Sequence, residues 1–181
     1  ARGAFVATPS VEEAQQVFEL RQMLEGAMMR LLVQRVSKAQ IAELRAHLKA
    51  EREAIALNHV AERTRLLAHF HSLLARMTGN QVLEELQSDL LSRSSLISLM
   101  YQSSQSAAES SAEHEAIVDA LEHGEVDVAV QLAQSHIEQV TEVVVVPRVA
   151  RREFDRLAQQ FDALRDVICR VLPDGAARTI I

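Results

Sequence analysis

Seven histidines are the residues of this chain with the most chemistry to offer, and their helical neighbours sort them. A residue on a helix shares its face with positions three, four and seven away. His71 then aligns with Leu67, Leu74 and Ala75. His114 aligns with Ile117 and Leu121, and His136 with Ala129, Leu132, Ala133 and Val140. Three different helices each aim one imidazole at an apolar face. A neutral imidazole buried there needs polar partners. Two readings meet that need. Each ring is a core histidine bonded to a backbone carbonyl, or the three meet around one ion. Three imidazoles plus a water or ligand oxygen suit zinc or a nickel-like divalent cation. The other four histidines read differently. His47 shares a solvated face with Glu43 and Glu51, and His59 sits at a helix start. His123 lies in a last turn before Gly124, where a cation suits the helix dipole. His69 is two residues from His71, about 200° away around a helix, so that pair does not chelate together.

Two arginines and two neighbours complete the candidate set. Arg93 lies three after Leu90, seven after Leu86 and four before Ile97, which predicts an inward guanidinium with Ser94 and Tyr101 on the same side. A buried guanidinium requires an anion or acceptors. Arg93 is therefore either paired with an inward carboxylate or a clamp for the carboxylate of a ligand. Arg21 stands four before Glu25 and either pairs with it or joins the same clamp. Several catalytic signatures are absent from the sequence. No histidine has Glu three before it, as ferritin-like di-iron bundles require. There is no HExxH, P-loop, GxGxxG or GxSxG motif.

The elements that must position these residues are helices. The chain has 181 residues, 48% of them hydrophobic and 3% aromatic, with only five glycines and three prolines. An all-β sandwich or barrel needs a turn signal every ~8–12 residues, which this composition does not supply. The net charge is −6, unlike a chain that neutralises phosphates by itself. Cys169 is the single cysteine, so no disulfide forms within the chain. No apolar run approaches the ~20 residues of a membrane span, which excludes a membrane partner on this reading.

Periodicity and punctuation predict an all-α, antiparallel bundle of six to seven helices. Ser10 and Glu13 open the first, about 11–34, with Val17, Leu20, Leu24, Met28 and Leu31 as its stripe. Ser37 and Gln40 open the second, about 38–57, with Ile41, Leu44, Leu48 and Ile55 inward. The third, about 59–78, ends at Gly79, and Asn80 caps the fourth, about 81–102. The Ser- and Ala-rich stretch 103–111 reads as a loop. A third capping box at Ser110 and Glu113 then opens the fifth helix, stopped by Gly124. The sixth runs from about 125 to 145, before Pro147. A last apolar seam, Phe154, Leu157, Phe161, Leu164, Ile168 and Val171, has a period of 3.5. It fits a helix lying on the core or a dimer contact. The predicted division is a tail at 1–8, a helical domain at 9–146, and an extra helix with a frayed end at 147–181.

Four segments in order resemble one family, the C-terminal effector-binding domain of GntR-type transcription regulators of the FadR subfamily, the FCD domain. RGAFVA at 2–7 resembles the last wing strand of the family's winged helix-turn-helix domain. FELRQMLEG at 18–26 resembles its R-x-x-x-E opening, and FHSLLARMTGN at 70–80 its F-H-x-x-L…G-N segment. EHEAIVDALEHGEVDVAVQLAQSHI at 113–137 resembles the segment that carries the last two family histidines. The resemblance implies a divalent metal held by one Asp and three His. The histidines fall on His71, His114 and His136, and the aspartate position holds Leu67. A water, an effector oxygen or a neighbouring side chain then fills the fourth place. The resemblance also implies a cytoplasmic homodimer that binds a small organic acid and alters operator binding through a winged-helix domain upstream of Ala1. Arg93, Arg21, Tyr101 and Ser94 are the expected effector contacts. The competing reading is a metal-assisted enzyme acting on a small molecule with the same three histidines, since an open coordination position is how catalytic zinc sites look.

Overall fold

The chain divides into two units, Ala1–Val145 and Val146–Ile181. A computed structural model describes residues 10–101 and 104–141, all within the first unit, with the side chains of 11 and 95–105 outside the description. The expected wing-strand tail and the 3.5-period seam both lie outside the described residues. Among those described there are six helices and no strand. They are α1 (Val11–Val33), α2 (Lys38–Ala56), α3 (Val60–Met77), α4 (Gln81–Tyr101), α5 (Ser104–His123) and a sixth, α6, over 126–141.

Local chemistry sets the boundaries. Ser10 Oγ accepts from the Glu13 amide at the start of α1. The Ser37–Gln40 capping box is fully formed at α2, satisfying two amides that the helix itself leaves open. Asn80 Oδ1 accepts from Leu83 N at the start of α4. Gly79 and Gly124 follow α3 and α5 with φ of +71° and +74°. An L side chain disfavours that conformation, so glycine ends both helices.

Cross-links between helices show their antiparallel order. Arg76 of α3 pairs with Glu43 of α2, and Arg52 of α2 with Glu115 of α5. Arg21 and Glu25 of α1 bond to Ser94 and Gln87 of α4. The core gathers Met28, Met29 and Leu32 with Leu44, Leu48, Phe70, Leu74, Ile117 and Leu121.

Two expectations fail. From Ser104 on, the predicted loop at 103–111 is the first half of α5, and Ser110 is an interior helical residue, not an N-cap. Ala107, Ser110 and Ser111 are buried. Small side chains there let α5 pack closely, so the run is a contact surface. The stripe of α1 is also rotated. Leu20 is 42% exposed, while Phe18, Arg21 and Glu25 face inward. That rotation places a charged pair at the centre of the bundle.

Candidate metal and effector centre

Three buried imidazoles meet where α3, α5 and α6 face one another. His71, His114 and His136 offer ligand atoms that all lie within 4.8 Å of one another. Ring centroids are 5.1 Å apart for His71–His114, 5.2 Å for His71–His136 and 4.7 Å for His114–His136. The three aligned by helical register are therefore brought together in space.

Each ring is held from behind by a carboxylate. His71 Nδ1 lies 2.6 Å from Glu25 Oε2, His114 Nδ1 3.0 Å from Glu51 Oε1, and His136 Nδ1 2.6 Å from Glu113 Oε2. A carboxylate accepts, so each Nδ1 donates, and in a neutral ring the lone pair then lies on Nε2. Nε2 of His114 and Nε2 of His136 are 3.3 Å apart. Two lone pairs at that distance repel unless a cation or a proton sits between them. Carboxylate support of the far nitrogen is the outer shell that metal-binding histidines use. The donor set therefore fits a divalent cation.

The supporting carboxylates are anchored in turn. Glu25 is 1% exposed and accepts from Arg21 Nε and Nη2 and from Gln87 Nε2. Burial opposes its ionisation, but His71 and Arg21 more than offset this and hold the carboxyl below the usual range. Glu51 is fully buried and accepts from Ser111 Oγ at 2.9 Å. Burial again opposes ionisation, and His114, His47 and Ser111 bring its pKa down to about 2. Burial pushes His71 down to about 3 despite Glu25 beside it, and lowers His114 as well. Ionised glutamate facing neutral imidazole is the protonation pattern a metal ligand needs. Phe70, fully buried, stacks on the His114 ring at 3.9 Å between centroids.

A cavity of about 40 Å³ opens beside these rings. A water needs roughly 10–15 Å³ of such space, so there is room for two or three. Arg21, Thr64, Ser94 and Ser110 supply its polar wall, and Leu67 and Leu91 part of its apolar wall. Among the described residues no carboxylate lines it, and Leu67 occupies the place expected of a fourth ligand.

Of the expected effector contacts, the structure brings Arg21 and Ser94 to this cavity and bonds them at 3.2 Å. The side chain of Tyr101 lies outside the description. Arg93 does not face inward. Its side chain is 53% exposed and pairs with Glu13 and Asp89. Among the described side chains of α4 the buried ones are Gln87, Leu90, Leu91 and Ser94, one step around the helix from Arg93. His47 is also not solvated, since its side chain is 8% exposed and its Nε2 lies 2.9 Å from Leu66 O. Sequence reasoning put Glu51 on a solvated face and read Glu113 as part of a capping box, whereas Glu51 is buried behind His114 and Glu113 bonds His136. One signal was present: 51 falls in register with Leu44, Leu48 and Ile55, at the gap in an otherwise apolar stripe.

The described residues form an all-α bundle around a buried, carboxylate-backed histidine centre, and the match to a family model marks it as a ligand-sensing regulatory domain. The FCD domain model matches residues 16–139, well over half the chain. The chain belongs to the FCD domain family, which indicates a transcription regulator rather than an enzyme. Among solved structures, Streptococcus agalactiae GntR is 23% identical with a TM-score of 0.63, over 71% of this chain and 58% of that one. E. coli McbR/YncC is 14% identical with a TM-score of 0.70, over 77% and 68%. Lar, which controls the expression of the Listeria monocytogenes agr system and mediates virulence, is 13% identical with a TM-score of 0.67, over 75% and 65%. At these identities the likeness is one of fold. The chain spans 58% of the length of the streptococcal protein. No curated protein matches it. No helix among the described residues is long and apolar enough to cross a membrane.

Proposed function

We propose that this chain is the effector-binding and dimerisation domain of a cytoplasmic bacterial transcription regulator, sensing a small organic acid beside a divalent metal held by His71, His114 and His136. The observation that carries it is the convergence of three imidazoles whose Nδ1 atoms are all bound by carboxylates. Bound there, zinc or a nickel-like ion supplies a positive charge that holds a carboxylate. Arg21 adds a second charge, and the hydroxyls of Thr64, Ser94 and Ser110 add donors. Leu67 and Leu91 offer apolar surface to a carbon skeleton. The cavity is small for an organic acid, so binding selects a state in which its walls have moved. A ligand that prefers one state shifts the population towards it, which is what a sensor must do. In the complete regulator that shift alters how the winged-helix domains of a homodimer meet operator DNA.

Elemental analysis of protein stripped and reloaded with zinc tests the reading. About one ion per chain is expected, and none in the triple variant His71→Ala, His114→Ala, His136→Ala. Melting curves of the loaded protein against a panel of organic acids complete the test. A panel that leaves the midpoint unmoved counts against acid sensing, and metal-free protein after reloading counts against the ion.

A further inference from the structure

One buried carboxylate serves both halves of the proposed site. Glu25 gives Oε1 to Arg21, through Nε at 3.1 Å and Nη2 at 2.8 Å, and Oε2 to His71 Nδ1 at 2.6 Å. Both of those residues line the cavity, one as the anion anchor and one as a metal ligand. Glu51 and Glu113, which hold the other two histidines, make no bond to Arg21. Gln87, fully buried, fixes Glu25 from α4. Arg21 has five N–H groups, and its bonds to Glu25 and Ser94 use three. A carboxylate in the cavity therefore finds donors on Arg21 without displacing Glu25.

We propose that Glu25 couples the two binding events, so that a carboxylate on Arg21 and an ion on His71 strengthen each other through this side chain. The inference rests on the acid-and-metal reading above. A carboxylate on Arg21 takes up part of the guanidinium's charge. Less of that charge then compensates Glu25, whose remaining charge acts on the Nδ1–H of His71. Drawing that hydrogen outward enriches Nε2 and makes it a better donor to a cation, as outer-shell carboxylates do. Linkage makes the effect reciprocal: the ion on His71 polarises its N–H, engages Glu25 and frees Arg21 for the anion. Arg21, Glu25 and His71 are all buried, where charge interactions are weakly screened. His114 and His136 lack this connection, so the effect is confined to one of three ligands.

The test is a coupling ratio, not a single affinity. Zinc affinity is measured by competition with a chromogenic chelator, with and without saturating acetate, in the wild type and in Glu25→Gln. Glutamine keeps the size and an acceptor but not the charge. Acetate is expected to raise wild-type zinc affinity about tenfold, within the range usual for coupled sites, and by less than about threefold in the variant. Weaker zinc binding in Glu25→Gln with an unchanged acetate ratio overturns the coupling and leaves the acid-and-metal reading standing. No zinc binding by the wild type overturns that reading itself. If Glu25→Gln does not fold, proton NMR of the zinc-loaded wild type decides. Acetate is expected to move the His71 Nδ1–H resonance further than those of His114 and His136. Equal movement of all three, or none at His71, overturns the coupling.

Discussion

Glu25 and Glu51 are 1% and 0% exposed, and a carboxylate at such a depth survives only with its charge matched. Both carboxyls stay ionised because donors surround them, and their histidines stay neutral because burial outweighs the nearby negative charge. The two effects give stability the same pH dependence. Glu51 binds its proton only near pH 2 when folded, against 4.5 ordinarily, so its contribution is complete above 4.5 and lost as pH falls towards 2. His71 takes up a proton near pH 3 when folded, against 6.5 ordinarily, so below 6.5 protons favour the unfolded chain. Metal-free protein should therefore lose stability steadily from pH 6.5 to pH 3, with no acid optimum, as urea unfolding at several pH values would show. Glu51→Gln should cost about 2 kcal/mol at pH 7, the scale of a hydrogen bond to a charged group, and less at pH 3. An equal cost at both values would remove the charge from the explanation. The three histidines were legible in the sequence because their helical neighbours are apolar. The glutamates were not, because a charge within an apolar stripe looks like an interruption until its partner on another helix is known. Arg93 failed for a related reason. Leu86 and Leu90 share its register, but Leu86 is itself 42% exposed, so the apolar row did not mark the buried face.

At the scale of the helix, punctuation carried more information than composition. The starts at Ser10, Ser37 and Asn80 and the stops at Gly79 and Gly124 were found within a residue or two, because each satisfies a definite set of backbone groups, whereas the start expected at Ser110 lies inside α5. The Ser- and Ala-rich first half of α5 was misread because it has neither long apolar side chains nor an obvious polar face. Its role is proximity: Ser111 reaches Glu51 on α2, and Ala107 is fully buried. Serine in a helix interior costs only a few tenths of a kcal/mol, which packing readily overrides. The glycines separate backbone need from spatial need. Gly79→Ala and Gly124→Ala each force a side chain into positive φ with nothing within 4 Å of the new Cβ. Each should cost about 1 kcal/mol by urea unfolding, all of it backbone strain. Gly26 lies inside α1, where a Cβ would meet only the flexible end of Gln134, at 2.8 Å. Moving that amide is cheap, and alanine gains up to ~1 kcal/mol of helix propensity. Gly26→Ala should therefore be neutral or stabilising. A loss above that of Gly79→Ala would mean that Gln134 is held in place by the α1–α6 contact, where its main-chain carbonyl accepts from Gln22 Nε2.

Across the whole molecule, the histidine centre is where the bundle is tied together. Its three ligands come from α3, α5 and α6, and their carboxylates reach back to α1 and α2 through Glu25 and Glu51, with Glu113 on α5. An ion bound there exists only when these segments are assembled, since residues 71 and 136 have no reason to meet in an unfolded chain. Binding free energy is then folding free energy. At free zinc one hundred times the dissociation constant, the stabilisation is about 2.7 kcal/mol. For a domain of this size that should raise the melting midpoint by roughly 5–11 °C. The rise should grow with the logarithm of zinc and vanish in the triple histidine-to-alanine variant. Magnesium should not reproduce it, because a hard cation gains little from three imidazoles. Calorimetry of stripped protein across a zinc series measures all three outcomes. A rise that persists in the triple variant would place the ion elsewhere, on surface carboxylates or on His47 and His69. The imidazole cluster would then be a hydrogen-bonded core, and sensing would fall to Arg21 and the hydroxyls around it.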